Sequence, residues 1–335
     1  SLLLGSPFLL LGDAADVRST GTIRQVVLAH RTALGLALLQ RTEEKRLQRL
    51  LGDLPVVHAD IDAHVLSRTN HQVDWSACCV VPEQRQRTVC LALTSGSSGT
   101  PKLLGLADGA LCNRFRWAYG RYPPRGNELW AWTAPTPFVD GIWQLLGGLG
   151  AGVPTLTLEQ PGDQRILLSL IKEHGITRMT LVPTMAACLL TYASQPQDLA
   201  SVRWLALSGE PFSFSLAHEL RRLLRADCVL VNIYGSAETT ADCTFFEVPA
   251  DLGKLLSSLP ADARTIVPLG HPIAGPLGAF SITLADDGEI LVQGLGISPT
   301  LQPEVGVPVR TGDIGRWATD GTLLFVCRRG RRTQI

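Results

Sequence analysis

Short apolar runs that alternate with helix-like stretches constrain the fold of this chain more than any other sequence feature. Residues 165–174 have the spacing of an amphipathic helix, and Gly175 stands where such a helix ends. Alternation of strands and helices is typical of α/β folds in which most strands are parallel. The sequence therefore predicts an α/β fold with mainly parallel sheets. The runs that predict buried strands are 34–38, 55–57, 179–182, 204–209 and 229–235.

The pattern changes from about Val267 onward. Short strand-like runs, the last of them at 323–327, are separated by turns at Asp287-Gly288 and Asp320-Gly321. Such turns are typical of antiparallel strands, so we expect a small antiparallel β subdomain here. The chain starts without Met in an apolar segment and stops abruptly, so we expect a fragment truncated at both ends. The predicted units are α/β lobes over 1–266, the β subdomain over 267–328 and a hinge stub over 329–335.

The composition excludes several classes of function. The 30 basic and 30 acidic residues balance, so no nucleic-acid footprint or basic membrane patch is expected. No apolar run reaches the length of a membrane span, and no basic signal-peptide start precedes the apolar opening. The 8 cysteines include no Cys-x-x-Cys pair, so zinc is not expected. Dispersed thiols suit a reducing cytosol, and we expect a cytoplasmic protein.

A loop rich in hydroxyls and glycines follows the apolar run at 91–93. Its amides and hydroxyls can donate to phosphate oxygens, and Lys102 adds a positive charge. It is not a Walker A loop, because Pro101 precedes the lysine and Leu103 follows it. The alternative is a flexible Gly/Ser linker. The residues predicted to hold phosphate are Thr94, Ser95, Gly96, Ser97, Ser98, Gly99, Thr100 and Lys102.

Two further motifs stand in order behind this loop. The first is the run from Asn232 to Glu238, which contains Tyr-Gly-x-x-Glu, and the second is Thr311-Gly312-Asp313. Together the motifs resemble those of the adenylate-forming enzymes, which include acyl-CoA synthetases and the adenylation domains of non-ribosomal peptide synthetases. The resemblance covers nearly the whole chain. It implies the large N-terminal domain of that fold, with ATP and Mg²⁺ as ligands.

The resemblance also implies roles for individual residues. Asn232 would bind the adenine, Tyr234 would line the nucleotide, and Asp313 would accept hydrogen bonds from the ribose hydroxyls. Glu238 would hold Mg²⁺ beside the phosphates, since a hard cation prefers carboxylate oxygen. The alternatives are a helix cap at Ser236 and a surface turn at Asp313. Further nucleotide-site residues implied by the resemblance are Gly209, Glu210, Gly235 and Arg328.

The pocket for the acid departs from the usual pattern of amino-acid-activating domains. Where those domains carry Phe-Asp, this chain has Phe138-Val139-Asp140. On extended chain, a shift of one residue turns the carboxylate to another face, which disfavours an α-amino acid. The Val-Asp pair resembles β-alanine-activating domains, in which an amine one methylene further from the carboxyl is bound. The alternative is that Asp140 caps a helix.

The same resemblance, closest to the β-alanyl-amine synthases, implies the rest of the pocket. Asp242 would be a second carboxylate for the ammonium group, and two carboxylates facing one pocket favour a cationic ligand group. A phosphopantetheine carrier domain would then receive the acyl group and pass it to an amine. The implied substrate residues are Val139, Asp140, Trp143, Thr180, Ser208, Ile233, Ala241 and Asp242.

The hinge at the end of the chain departs from the family pattern. Gly330 replaces the hinge aspartate and Gln334 replaces the next lysine. We expect the family's C-terminal domain to be absent from this fragment. We therefore expect the fragment to be a weak or inactive enzyme by itself. The other functions considered are an acyl-CoA synthetase for an uncharged acid, a nucleotide-binding pseudoenzyme and a structural interaction protein.

Overall fold

A computed structural model gives the fold, and it describes part of the chain. The predicted phosphate loop at 95–101 and the hinge at 330–335 lie outside the described residues. So does the charged stretch at 42–51, for which the sequence predicts a helical turn. The described residues are 8–10, 36–39, 56–58, 88–94, 102–134, 138–158, 162–275, 278–301 and 307–329.

The first sheet has five strands in the order β3-β2-β1-β4-β5. The strands β1, β2, β3 and β4 pair in parallel, and β5 runs antiparallel to β4. The inner strand β4 is rich in apolar residues, and residues 89–92 of it are buried. The strands are β1 (Phe8–Leu10), β2 (Leu36–Leu39), β3 (Val56–His58), β4 (Thr88–Thr94) and β5 (Lys102–Ala107).

The second sheet has seven strands in the order β12-β11-β10-β9-β8-β6-β7. Its strands from β7 to β10 pair in parallel, and β11 and β12 are antiparallel at one edge. The strands are β6 (Trp130–Trp132), β7 (Thr155–Thr157), β8 (Arg178–Leu181), β9 (Trp204–Leu207), β10 (Val229–Tyr234), β11 (Thr244–Val248) and β12 (His271–Pro272).

Helices connect these strands, and capping side chains or a glycine mark several of their ends. Asp163 accepts the Arg165 amide at the start of α3, and Gly175, with φ of 70°, ends it. The Ser213 side chain caps α5 in the same way. The helices are α1 (Asp108–Arg121), α2 (Val139–Gly150), α3 (Gln164–His174), α4 (Pro183–Tyr192), α5 (Phe214–Leu223) and α6 (Leu252–Ser258).

The later part of the chain forms antiparallel sheets. A two-stranded ribbon, β13 (Ala274–Gly275) with β14 (Gly278–Ala279), precedes a four-stranded sheet in the order β15-β16-β17-β18. The strand β17 carries Thr311-Gly312-Asp313, so this motif lies in a bulged strand rather than in an isolated surface turn. The four strands are β15 (Ser281–Leu284), β16 (Glu289–Gln293), β17 (Val309–Trp317) and β18 (Leu323–Arg328).

The α/β class with mostly parallel strands and an antiparallel subdomain is confirmed. The predicted strands at 34–38, 204–209 and 229–235 correspond to β2, β9 and β10, and α3 matches the predicted helix closely. Two apolar cores lie around the seven-stranded sheet, and one contains Val231 and Ile233 while the other contains Leu230. Alternate residues of β10 therefore face opposite sides of the sheet. The domain boundaries stay a prediction.

Candidate functional site

The predicted phosphate loop is the connection of a β-hairpin. Thr94, at the end of β4, pairs with Lys102, at the start of β5, in an antiparallel register. The ends of both strands are thereby fixed, and seven residues connect them. The loop residues Ser95, Gly96, Ser97, Ser98, Gly99 and Thr100, and the side chains of Thr94 and Lys102, lie outside the described part, so their phosphate role stays a prediction.

Three residues predicted to contact the nucleotide meet at one point. The Tyr234 hydroxyl donates to one carboxylate oxygen of Asp313 over 3.0 Å, and the Arg328 guanidinium donates to the other over 3.0 Å. Burial raises the pKa of Asp313, while the charge of Arg328 opposes that rise. Burial, followed by the charge of Asp313, raises the pKa of the Tyr234 hydroxyl. The carboxylate is therefore held in a fixed orientation between a donor and a cation.

Glu289 is a buried carboxylate that sequence reasoning missed, and it supports the Thr-Gly-Asp segment. It is 2% exposed and accepts the backbone N–H of Gly312 over 3.0 Å. It also forms ion pairs with Arg310 and with Arg329, which in turn pairs with Asp287. We call Glu289, Arg310, Gly312 and Arg329 the Glu289 hub. It holds the backbone next to Asp313 against β16.

Two other predicted nucleotide residues already have protein partners. The Asn232 amide donates to the carbonyls of Val267 and Pro268, over 3.3 and 2.8 Å. The Glu210 carboxylate accepts both the backbone N–H and the hydroxyl of Thr184 at the start of α4, each over 2.9 Å. These bonds orient the loops beside the predicted nucleotide site. The adenine role of Asn232 and the role of Glu210 stay predictions.

The predicted magnesium ligand lies on a single short turn. Glu238 is half-buried in a three-residue 3₁₀ helix, Ala237–Thr239, and its carbonyl accepts the Ser298 amide over 2.8 Å. The described residues contain no cluster of three or more metal-ligating side chains, and none of them forms an ion pair with Glu238. One free carboxylate fits Mg²⁺, which keeps most of its shell for water and phosphate oxygens.

The predicted acid-binding carboxylate is in a helix, not on extended chain. Asp140 is the second residue of α2 and is half-buried, and the Trp143 indole N–H donates to its Oδ1 over 2.8 Å. The expectation that Val139-Asp140 turns a side chain across an extended segment is thus wrong, because α2 begins at Val139 and rotates successive side chains by about 100°. Val139 is buried in the core.

Asp242 has a partner that was not foreseen from the sequence. Both Nε and Nη2 of Arg114 lie within 2.8 Å of Asp242 Oδ2, and the Ser208 hydroxyl lies 3.5 Å from Oδ1. Arg114 and Asp242 are 4% and 1% exposed. The expectation of two free carboxylates for an ammonium group is corrected here: a guanidinium already compensates Asp242.

The Arg114 guanidinium is also enclosed by aromatic rings. Its carbon lies 4.7 Å from the centre of the Trp117 ring and 4.5 Å from that of Trp143. We call Arg114, Asp242, Trp117 and Trp143 the Arg114 stack. The signal for it in the sequence is that Arg114 falls four residues after Ala110 and three before Trp117, on the buried face of α1.

Charge and burial set the pKa of the free carboxylate. Burial and, next, the negative charge of Asp242 raise the pKa of Asp140 to about 6, while the Trp143 hydrogen bond and Arg114 oppose that rise. Burial likewise raises the pKa of Asp242, and Arg114 counters it. The cluster thus contains two carboxylates and one guanidinium, with no salt bridge to Asp140 from the described residues.

A strained turn delivers Asp242 to the cluster. Thr240 and Ala241 have φ of 55° and 80°, a region that costs non-glycine residues energy. A Cβ on Gly235 would lie 2.1 Å from the Ala241 carbonyl oxygen, so only glycine fits under this turn. Thr240 is held by a hydrogen bond to the Gly296 carbonyl over 2.7 Å.

The other predicted pocket residues surround the same cluster. Val139, Trp143, Ile233 and Ala241 belong to one apolar core, and Thr180 lines a cavity together with Trp143. Ser208 contacts Asp242 as described. The structure therefore brings the predicted substrate residues together, although it does not test what they bind.

A second buried arginine stack lies across the cavity. Arg178 pairs with Glu128 over 3.3 Å and lies 4.5 and 5.3 Å from the ring centres of Trp130 and Trp204. The Trp130 indole N–H donates to the same Glu128 over 2.6 Å, and Arg178 donates twice to the Tyr122 carbonyl. We call Arg178, Glu128, Trp130 and Trp204 the Arg178 stack. It has one carboxylate and one guanidinium.

Comparison with protein families assigns the chain to a family. The model of the family described as AMP-binding enzyme matches residues 19–296. The chain therefore belongs to the AMP-binding enzymes, a family of AMP-forming adenylating ligases.

Among curated relatives, the L-proline--[L-prolyl-carrier protein] ligase of Streptomyces coelicolor is 30% identical over 269 residues, covering 73% of this chain and 48% of the relative. The beta-alanyl-bioamine nonribosomal peptide synthetase ebony of Drosophila melanogaster is 30% identical over 217 residues, covering 61% of this chain and 24% of ebony. Ebony is one distant relative among many. The chain spans about half the length of the prolyl ligase and about a quarter of the length of ebony.

Solved structures share the fold. The Vibrio cholerae adenylation domain AlmE, in complex with glycyl-adenosine-5'-phosphate, superposes with a TM-score of 0.73 at 18% identity, covering 98% of this chain and 71% of AlmE. The Bacillus subtilis O-succinylbenzoate Coenzyme A Synthetase (MenE), in complex with ATP and magnesium ion, gives 0.66 at 18% identity, covering 96% and 69%. Within the described residues, no helix combines the length and apolar character that crossing a bilayer requires.

Proposed function

We propose that the protein activates a short ω-amino acid as its acyl-adenylate, and that this acid is β-alanine. The observation that carries the proposal is the charge count around Asp140. Arg114 compensates Asp242, so one carboxylate remains for one ammonium group. A half-buried carboxylate without a counter-ion is unfavourable, and a cationic substrate group would relieve that cost. An uncharged acid, as in an acyl-CoA synthetase of that type, would leave Asp140 without a counter-ion.

The reaction follows from where charged groups would hold the two substrates. The β-alanine carboxylate would attack the α-phosphorus of ATP, forming the acyl–phosphate bond as the bond to pyrophosphate breaks. Asp140 would hold the ammonium end, and Asp313 would hold the ribose hydroxyls. Glu238 would hold Mg²⁺, which supplies positive charge to the phosphates. The loop from Thr94 to Lys102 would donate to the departing pyrophosphate.

The later fate of the acyl group also belongs to the proposal. A phosphopantetheine thiol on a carrier domain would receive it. The Streptomyces relative is likewise named as a ligase for a carrier protein, the L-prolyl-carrier protein. An amine acceptor would then release the product. A nucleotide-binding pseudoenzyme is the alternative, since Gly330 and Gln334 depart from the family hinge.

ATP–pyrophosphate exchange with the full-length protein tests the proposal. The acids are β-alanine, α-alanine, γ-aminobutyrate and a fatty acid. We expect exchange with β-alanine and a loss of about 100-fold or more in Asp140→Ala, because the ammonium group loses its counter-ion. Asp163→Asn, at the start of α3, is the matched control and keeps full exchange.

Other outcomes separate the alternatives. Strong exchange with α-alanine or the fatty acid would contradict the choice of substrate and leave adenylation intact. ATP binding without exchange for any acid would favour the pseudoenzyme.

A further inference from the structure

Arg114 and Trp143 of the Arg114 stack border a small cavity, and Asp242 is not among its lining residues. The cavity has a volume of about 30 Å³, enough for about two water molecules. Arg114, Trp143 and Thr180 line it, and so do Phe115, Tyr119 and Trp130. Two of these residues also contact the carboxylates of the acid site: Arg114 binds Asp242 and Trp143 binds Asp140. These two residues therefore border both the cavity and the two carboxylates.

We propose that Arg114 is a specificity-determining residue that limits the length of the acid, a role that rests on the proposed function. Its guanidinium is held in place on three sides, by Asp242 and by the rings of Trp117 and Trp143. A side chain fixed in this way cannot swing aside to admit a longer substrate. The acid pocket therefore ends at the guanidinium, and the cavity behind it stays closed to the acid.

The ion pair also explains why a cation can form this wall without repelling an ammonium substrate. Asp242 neutralises Arg114, and both are almost fully buried. An arginine without Asp242 would place an uncompensated positive charge beside the ammonium group bound at Asp140. The pair thus forms a neutral wall, and Asp140 keeps the negative charge.

The test replaces the pair by a neutral pair in which a flexible thioether side chain, free to move aside, takes the place of the fixed guanidinium. The variant R114M/D242N removes the guanidinium, keeps a polar partner for Ser208 and leaves Asp140 free. Removing both partners together avoids leaving one buried charge alone. ATP–pyrophosphate exchange and acid-dependent rises in Tm are measured for β-alanine, γ-aminobutyrate and 5-aminopentanoate, in the wild type and the variant.

We expect the ratio of γ-aminobutyrate to β-alanine exchange to rise about tenfold or more, because one excluded methylene is worth about 10–200-fold in a close-fitting pocket. The control variant R178M/E128Q changes the other arginine stack, which lines the same cavity from the far side. It should leave the ratio unchanged. An equal rise in the control, or an unchanged ratio in R114M/D242N, overturns the role of Arg114.

A milder variant covers the case in which the double variant does not fold. R114K keeps a positive charge beside Asp242 but removes the planar group that stacks on Trp143. The ratio of γ-aminobutyrate to β-alanine exchange should then rise about threefold. No rise in R114K would contradict the proposal.

The wild-type panel separates the two proposals. If the wild type activates another acid best, the choice of β-alanine fails. If R114M/D242N then accepts longer acids than the wild type does, the role of Arg114 as the wall would still be supported. If the wild type binds no acid at all, both proposals are overturned.

Discussion

The Arg114 stack and the Arg178 stack are built from the same parts, and the difference between them lies in the number of carboxylates. In each, a buried guanidinium lies between two tryptophan rings and pairs with a buried carboxylate. In the Arg178 stack, the indole N–H of Trp130 donates to that same Glu128. In the Arg114 stack, the indole N–H of Trp143 donates to a further carboxylate, Asp140. The Arg178 stack is therefore neutral, and the Arg114 stack together with Asp140 keeps one negative charge.

This difference teaches how a structural motif can become a binding site. A buried arginine between aromatic rings with one carboxylate is internally satisfied and can serve packing alone. One additional half-buried carboxylate, with a pKa raised to about 6, makes the arrangement incomplete. Strongly perturbed groups of this kind are concentrated at functional sites.

Breaking the neutral stack should have the largest effect on stability. Arg178→Met leaves Glu128 buried without its cation, and we expect the free energy of unfolding to fall by about 3–5 kcal/mol. Urea denaturation followed by circular dichroism measures the loss. The double variant R178M/E128Q should recover most of it, since no charge is then left alone. A single variant as stable as the wild type would show that Glu128 finds another partner.

Exchanging one tryptophan in each stack should separate binding from packing. Trp143→Phe removes the donor to Asp140, and we expect β-alanine affinity to fall about tenfold, or about 1.4 kcal/mol, as a hydrogen bond to a charged group is lost. Trp204→Phe is the control, because the Trp204 indole N–H has no hydrogen-bond partner among the described residues. Titration calorimetry with β-alanine measures both. Equal losses in the two variants would remove the distinction between the stacks.

Neutralising the free carboxylate should stabilise the fold slightly. The pKa of Asp140 is raised in the folded state, so the folded chain binds more protons than the unfolded chain between about pH 4 and pH 6. Stability contributed by this group is therefore lost as the pH rises through that window. Asp140→Asn should gain about 1 kcal/mol at pH 7, less than the full shift implies because the group is half-buried.

The pH dependence of that gain provides its check. Urea unfolding at pH 7 and at pH 4 should show the gain at the higher pH and almost none at the lower. Asp163→Asn, whose parent aspartate has a lowered pKa at the start of α3, should give no gain at pH 7. A gain that is the same at both pH values would mean that Asp140 does not titrate as described.

Much of the fold and part of the site could be predicted from local sequence. Gly175 marks the end of α3, and the apolar runs mark β2, β9 and β10, because helix caps and buried strands leave short-range signatures. The family resemblance implied that Tyr234 and Asp313, far apart in the chain, both contact the nucleotide. The structure adds that their side chains form a hydrogen bond over 3.0 Å.

Contacts between residues far apart in the chain, and the backbone conformation at Val139-Asp140, could not be predicted from the sequence. Arg114 and Asp242 are separated by 128 positions, and nothing local identifies one as the partner of the other. Glu289 likewise looks like an ordinary strand residue until β16 and β17 are paired. The error at Val139-Asp140 arose because a short apolar segment fits a strand or a helix start equally well.

The Glu289 hub gives the predicted nucleotide site an internal reporter. The Gly312 amide donates to a buried carboxylate, so its proton should exchange slowly with deuterated solvent and resonate at an unusual frequency. Asp313 follows Gly312 directly, so a ligand bound to the Asp313 carboxylate would shift the resonance of the Gly312 amide. That amide itself contacts no ligand. A single amide resonance could thus follow nucleotide occupancy without any turnover.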